Sequence, residues 1–191
     1  MRRAYDPSMG RLHDAIDTPL RDFIARQHMF FVATAPLSGE GHVNLSPKGL
    51  DSFAILDPRT VAYLDLTGSG VETIAHVREN GRITLCFCAF EGPPKILRLY
   101  GRGTVVEAGD ESFGALRMHF GPFDAVRSIV RVALTRIADS CGYGVPLYRY
   151  EGQRTQLAEW ACRKGPDGVV AYRDEHNRAS IDGLPGLRRD G

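Results

Sequence analysis

Hydrophobic and polar residues alternate along much of the chain with the two-residue period of half-buried β-strands. The clearest stretch is 82–89, in which Ile83, Leu85, Phe87 and Ala89 fall on one face. Similar runs occupy residues 29–35, 43–46, 52–56, 61–66, 95–107 and 128–138. Short turns rich in Gly, Pro and Asp separate most of these runs, which is typical of antiparallel β-strands.

Helical patterns are fewer. Thr18 followed by Pro19 indicates a helix start, and further helices are expected at 70–80, just after Asp110 and around 154–163. A doubly wound parallel sheet would need a crossover helix after nearly every strand, so the pattern favours a mainly β fold, an antiparallel barrel with peripheral helices. We assign residues 1–165 to this barrel domain. Residues 166–191 are polar and turn-rich and are expected to form an extended C-terminal arm or a partly disordered tail.

Composition narrows the classes of function. The chain has 191 residues, 43% of them hydrophobic, which suits one domain with a real core. Its 24 basic and 23 acidic residues leave a net charge of +1, which argues against a general nucleic-acid surface. No apolar run approaches the roughly 18 residues of a membrane span, and the first residues lack the apolar stretch of a signal peptide. We therefore expect a cytoplasmic protein without a membrane or nucleic-acid partner.

The cysteines and histidines do not form a recognisable metal motif. Cys86, Cys88, Cys141 and Cys162 lack metal-ligand spacing and are interpreted as small buried thiols in a reducing compartment. The six histidines show no H-E-x-x-H pattern or close pair, so no metal site is predicted. No constellation of catalytic side chains stands out either.

The most informative stretch is 43–80, which contains two polar turns. The first, V-N-L-S-P-K-G, ends a strand with one cation, Lys48; the second, L-T-G-S-G-V-E-T, links a strand to a helix. Hydroxyls, free backbone N–H groups and the positive end of a helix dipole together predict a phosphate-binding cradle. The simpler alternatives are a solvated Lys48 and an ordinary helix cap at Ser69.

The order of these elements resembles the pyridoxamine 5'-phosphate oxidase-like family of FMN-binding split β-barrels. The resemblance is strongest over 43–106, about a third of the chain, and rests on the order and spacing of motifs that are individually weak. It implies an antiparallel split β-barrel, non-covalent FMN, and a homodimer with the flavin at the subunit interface. The cofactor-binding residues assigned on this basis are Asn44, Leu45, Ser46, Lys48, Leu66, Thr67, Gly68, Ser69, Gly70 and Thr73.

Two departures from the family pattern bear on the function. Glu72 and Thr73 stand where the founding oxidases have an Arg-Lys pair on the phosphate. We therefore expect the positive charge to come from Lys48 and from Arg98, a cation in the middle of an apolar strand; the alternative is that Arg98 faces solvent. The chain also lacks the R-L-x-P-type segment with which those oxidases handle pyridoxal substrates, so vitamin B6 oxidase activity is not expected.

The resulting hypothesis is a flavin-dependent oxidoreductase that transfers electrons or hydride through non-covalently bound FMN. Because the flavin supplies the chemistry, no side-chain proton donor is required. Two alternatives remain open: a non-catalytic flavin carrier or sensor, and a relative that binds haem or a deazaflavin in the same place. The pattern does not identify the small-molecule substrate.

Overall fold

The computed structural model describes residues 10–188, which form one antiparallel sheet and four helices. The last three residues of the predicted tail, 189–191, and the first nine of the predicted domain lie outside the described residues. The strands are β1 (Leu12–His13), β2 (Phe30–Thr34), β3 (Asn44–Lys48), β4 (Phe53–Asp57), β5 (Thr60–Leu66), β6 (Arg82–Cys88), β7 (Ile96–Glu107) and β8 (Val126–Ser140). The helices are α1 (Thr18–Ala25), α2 (Glu72–Asn80), α3 (Phe113–Arg117) and α4 (Gln156–His176).

The strands run in the spatial order β3-β2-β6-β7-β8-β5-β4, and β1 pairs with β8. Although β3 and β4 follow each other in the chain, they lie at opposite edges of the sheet. The sheet curls so that its two ends approach across the interior: the ring of Phe30 on β2 lies 5.3 Å from Phe53 on β4 and 5.7 Å from Tyr63 on β5. This is the predicted antiparallel split β-barrel.

The alternation seen in the sequence sets which side chains fill the barrel. Leu85 and Phe87 of β6 and Leu97 and Leu99 of β7 are fully buried, whereas the residues between them are only half-buried. Successive side chains of a strand point to opposite faces, so the apolar set lines the interior and the intervening set forms the outer face. α1 covers the barrel with Leu20, as its helical spacing predicted.

The helix after β5 begins later than predicted. α2 starts at Glu72 rather than at residue 70, and Val71 precedes it without a side-chain cap. Ser69, the cap suggested by the sequence, is exposed. The helix ends as the pattern indicates, with Gly81 in the left-handed region (φ 70°), a conformation that glycine adopts without a steric cost.

The C-terminal region differs most from the prediction. Residues 166–176 are helical and belong to α4, which breaks only at Gly165 (φ 68°, ψ 170°). The helix is interrupted at Gly165. Pro166 then begins a second helical segment, because proline is favourable in the first turn of a helix. The extended or disordered arm predicted for 166–191 is therefore wrong for this part. Residues 177–188, which we call the C-terminal strap, follow α4 and pack back onto α2 through Leu187.

Candidate functional site

The two sequence motifs of the predicted cofactor site lie side by side. Asn44 Nδ2 on β3 donates to Thr73 Oγ1 in the first turn of α2, at 2.9 Å, and to Thr34 Oγ1 at 3.2 Å. Ser46 Oγ donates in turn to Asn44 Oδ1 at 2.9 Å. We call this polar strip, together with the loop 67–70, the β3–α2 site.

Lys48 ends β3 in a different environment from the one predicted. It lies directly opposite Phe30 on β2, and paired residues share a face, so its side chain points into the barrel. There Nζ lies 3.2 Å from Oδ1 of the fully buried Asp65. Arg127 Nε on β8 approaches the other carboxylate oxygen at 2.7 Å. Lys48 is thus one of two cations on a buried carboxylate.

This buried cluster fixes the ionisation of its members. Burial alone would raise the pKa of Asp65, but the charges and hydrogen bonds of Arg127 and Lys48 outweigh it and hold that pKa below its usual value. The pKa of the neighbouring Tyr63 is raised well above 10, mainly by burial and secondly by the charge of Asp65. The Tyr63 hydroxyl is fully buried next to Thr73, and its raised pKa keeps the phenol neutral at pH 7.

The loop 67–70 is held largely by the chain itself. Thr67 Oγ1 donates to the carbonyl of Ala125 at 2.7 Å and accepts from Arg173 Nε at 2.9 Å. The carbonyl of Gly68 accepts from Asn177 Nδ2 at 2.8 Å and from Arg127 Nη1 at 3.3 Å. Leu66 is packed in a small apolar cluster with α3 residues. Only the end of the loop, Ser69 and Gly70, is exposed.

Glu72 occupies the end of α2 where the sequence predicted a phosphate. One carboxylate oxygen accepts from the backbone N–H of Ile181 in the strap at 3.3 Å. The other lies so close to Gly70 that a Cβ at that position would clash with it. A carboxylate in the first turn stabilises a helix, but here it also repels an anion. A phosphate at this helix end would therefore meet the negative charge of Glu72.

Arg98 is separated from the other predicted site residues. Across the sheet, Pro47 pairs with Phe31, Phe31 with Cys86, and Cys86 with Arg98. Three strand spacings of about 4.8 Å place Arg98 about 14 Å from β3. It lies on the outer face, where Nη1 donates to Ser140 Oγ at 3.2 Å. Leu45 also faces outward, with 65% of its surface exposed.

Several residues of the site were missed from the sequence: Asp65, Arg127, Arg173 and Asn177. Asp65 left a signal, because it is the only charge in the otherwise buried strand T-V-A-Y-L-D-L. The other three come from distant parts of the chain, and Asn177 follows a segment that was predicted to be extended. Their roles depend on the packing of β8 and α4 against the loop.

Buried His76 completes the neighbourhood. Its Nδ1 is hydrogen-bonded to Thr34 Oγ1 at 3.0 Å, and its Nε2 has no partner in the described part of the chain. Burial lowers its pKa, so the ring is neutral at pH 7. Within residues 10–188 no group of His, Cys, Asp and Glu could hold a metal ion, and no helix is long and apolar enough to cross a membrane. The sequence predicted buried cysteines. In the structure, three of them are half-buried and Cys162 is exposed.

The sequence profile of the pyridoxamine 5'-phosphate oxidase family matches residues 16–141, about two thirds of the chain. The chain belongs to this family. The pyridoxamine 5'-phosphate oxidase family protein UstO of Aspergillus flavus is 38% identical over 198 residues, covering 94% of this chain and 78% of the relative. The missing Arg-Lys pair and R-L-x-P segment are consistent with a family member that is not itself a pyridoxamine 5'-phosphate oxidase.

Solved structures show the same fold. HupZ of Group A Streptococcus superposes with a TM-score of 0.52 at 24% identity, over 64% of this chain and 91% of its own. A Lactobacillus delbrueckii protein described provisionally as a pyridoxamine 5'-phosphate oxidase gives 0.51 at 16% identity, over 68% and 98%. Both matches show the split-barrel fold.

Proposed function

We propose that this protein binds a flavin non-covalently at the β3–α2 site and acts as a flavin-dependent oxidoreductase, with FMN as the form of the cofactor. The observation that carries the proposal is the hydrogen bond from Asn44 to Thr73. It brings together the strand and the helix start that resemble the flavin-contacting motifs of the family. Family membership supports the same assignment.

The residues of β3 suit the ring of a flavin. β3 is an edge strand that pairs only with β2, so the backbone groups on its free side can bond to the amide-like edge of an isoalloxazine. Asn44 and Ser46 add side-chain donors and acceptors beside that edge. The exposed side chains of Val43 and Leu45 offer apolar surface to a flat ring.

The phosphate is supported less directly. Lys48, Arg127 and Arg173 lie around the loop 67–70 against the carboxylates of Asp65 and Glu72. Two of these cations, Lys48 and Arg127, already pair with Asp65, so a phosphate would have to share them with that carboxylate. A phosphate must also avoid Glu72. We therefore propose that its charge is balanced from the β5–β8 side of the loop rather than by the first turn of α2.

A bound flavin would supply the electron or hydride transfer itself. The protein's contribution is to orient it: Asn44, Ser46 and Thr73 form a fixed hydrogen-bonded strip, and the apolar barrel beneath excludes water. We further propose a homodimer, in which a second subunit covers the outer face of the flavin.

A visible absorption spectrum of the purified protein is the first test, because it separates flavin, deazaflavin, haem and empty protein. FMN titration should then quench flavin fluorescence at micromolar concentration, about 8 kcal/mol of binding free energy. Riboflavin should bind more weakly because it lacks the phosphate. Bleaching by a nicotinamide cofactor would distinguish an oxidoreductase from a carrier. Protein that binds neither flavin would contradict the proposal.

A matched pair of variants locates the site. Thr73→Val removes the hydroxyl that accepts from Asn44 while keeping the shape of the side chain. It should lower the affinity for both FMN and riboflavin. Thr60→Val makes the same change at the start of β5, about 20 Å by strand rise from Leu66 at the end next to the loop 67–70, and should leave both affinities unchanged. Equal effects of the two variants would remove the β3–α2 site from the proposal.

A further inference from the structure

A cavity lies beyond the end of β3, outside the β3–α2 site. It is an open cleft of about 980 Å³. It is lined by the residues before β2, the end of β3, the β6–β7 loop, and residues 148–157, the crossover segment that leads into α4. This volume is at the upper end of the range for sites that take small organic molecules. We call it the crossover pocket.

Hydrogen bonds hold the crossover segment against the barrel. The backbone N–H of Tyr148 donates to the carbonyl of Phe90 at 2.9 Å, and that of Tyr150 donates to Glu91 Oε1 at 3.0 Å. Gln153 Nε2 reaches the carbonyl of His28 at 3.3 Å. The pocket wall therefore has a defined position relative to the sheet.

Flat rings form much of this wall. Tyr150 stacks on His28 with ring centroids 3.6 Å apart, and Tyr148 stacks on Phe90 at 5.3 Å. Both tyrosines remain exposed despite their size. Aromatic faces of this kind favour a planar partner by stacking, and large exposed apolar groups gathered around a concave surface indicate a binding site.

The charges around the pocket are predominantly positive. Its lining contains Arg26, Arg149 and Arg154, and also Lys48, whose ammonium is already paired with Asp65. The one carboxylate in this lining, Glu91, already accepts from Tyr150. The whole chain carries a net charge of only +1, so this concentration is local. A cleft lined by one sign of charge attracts ligands of the opposite sign.

We propose that the crossover pocket binds a small organic anion with a planar aromatic body. The rings would stack on the aromatic body, and the arginines of the crossover segment would pair with its carboxylate, sulfonate or phosphate group. Lys48 lines the pocket and ends the strand of the β3–α2 site. A role for this anion as the substrate of the oxidoreductase rests on the proposed function. Its binding in the pocket does not depend on that function.

Two fluorescent probes test the proposal. Anilinonaphthalene sulfonate is an aromatic anion, and N-phenylnaphthylamine is a neutral molecule of similar shape. The double variant Arg149→Gln/Arg154→Gln should lower the affinity for the anionic probe roughly fivefold or more. It should change the affinity for the neutral probe less than twofold. Tyr148→Ala should weaken both. Arg163→Gln, an exposed arginine farther along α4, is the matched control and should change neither.

Several outcomes would overturn the proposal. They are failure of the anionic probe to bind the folded wild-type protein, binding that none of the pocket variants affects, and an equal loss of both probes in the arginine variant. If Tyr148→Ala dissociates a dimer that does not bind the anion, the wall is instead a surface for a second copy of the chain.

Addition of FMN separates this proposal from the previous one. FMN-saturated protein should bind the anionic probe with unchanged affinity. Displacement of the probe by FMN, together with loss of FMN affinity in the arginine variant, would assign the pocket to the flavin and refute a separate anion site. Protein that binds no flavin but retains the arginine-dependent probe site would refute the proposed function alone.

Discussion

Replacing Asp65 by asparagine tests the buried charge cluster that the sequence did not predict. Asn keeps the shape of the side chain but removes its charge. The Arg127 side chain is only 4% exposed, so its guanidinium would be left without a counter-charge and with little water. Removing one partner of a buried ion pair typically costs about 3–5 kcal/mol. We expect Asp65→Asn to lose a comparable amount, a large part of the roughly 5–15 kcal/mol of a typical domain.

The Lys48 side of the cluster should contribute less. Its side chain is 21% exposed, so water can partly solvate the ammonium when the carboxylate is lost. Lys48→Met should therefore cost about 1 kcal/mol, since solvent screening weakens such a pair. Urea unfolding followed by circular dichroism measures each free energy, and Asp22→Asn on the exposed side of α1 controls for the substitution itself.

A double-mutant cycle makes the test specific. Arg127→Met in the Asp65→Asn background removes the orphaned cation, so the double variant should be less destabilised than the sum of the single variants. Additive losses would show that the two side chains do not interact. A loss below about 1 kcal/mol for Asp65→Asn would refute the argument from burial, since breaking a buried pair costs about 3–5 kcal/mol.

The same carboxylate should shape the acid stability of the protein. Its folded-state pKa lies below the unfolded value, which is about 3.9 for Asp. The folded state then binds the proton less readily, so the stabilisation is fully present above the unfolded pKa and is lost as pH falls through the folded pKa. Wild-type stability should fall below about pH 4 more steeply than that of Asp65→Asn. Parallel acid limbs would contradict this assignment.

Three further predictions concern the cofactor site and the assembly. Glu72→Gln should tighten FMN about two- to fivefold, the range for one charge at a helix N-terminus, and leave riboflavin unchanged; a fluorescence titration that shows no preference for FMN would contradict the repulsion. Arg98→Ala should alter FMN affinity only if a second subunit brings that face to the flavin, because Arg98 is too far from β3 within one subunit. Light scattering should report about twice the 21.1 kDa chain mass, and a monomer with full FMN affinity would exclude a two-subunit site.

The strands and the split barrel could be predicted because their signals are local. Ile83, Leu85 and Phe87 alternate with half-buried residues, and that alternation survives folding because one face of the strand lines the core. The barrel could be inferred because few helices lie between the strands. Helix ends were less accurate: α2 begins at Glu72, and the small polar residues before it fit a loop as well as a helical turn.

The details of the site depend on contacts between distant parts of the chain. Lys48 was correctly placed at the end of a strand, but its partner Asp65 lies 17 residues away and meets it only because the sheet curls. Arg127, Arg173 and Asn177 reach the loop 67–70 from β8 and from the end of α4. No residue spacing encodes such meetings, so the sequence alone points only to the cations of the barrel strands.

Glu72 and Thr73, which replace the family's Arg-Lys pair, both make contacts that hold parts of this fold together. Thr73 accepts from Asn44 and joins β3 to α2, while Glu72 accepts from Ile181 and holds the strap. The cations near the loop 67–70 come instead from β8 and α4. The helix start thus serves to anchor the C-terminal strap. Substitutions in the strap should therefore affect the β3–α2 site through Glu72, even though the strap lies far from that site in the sequence.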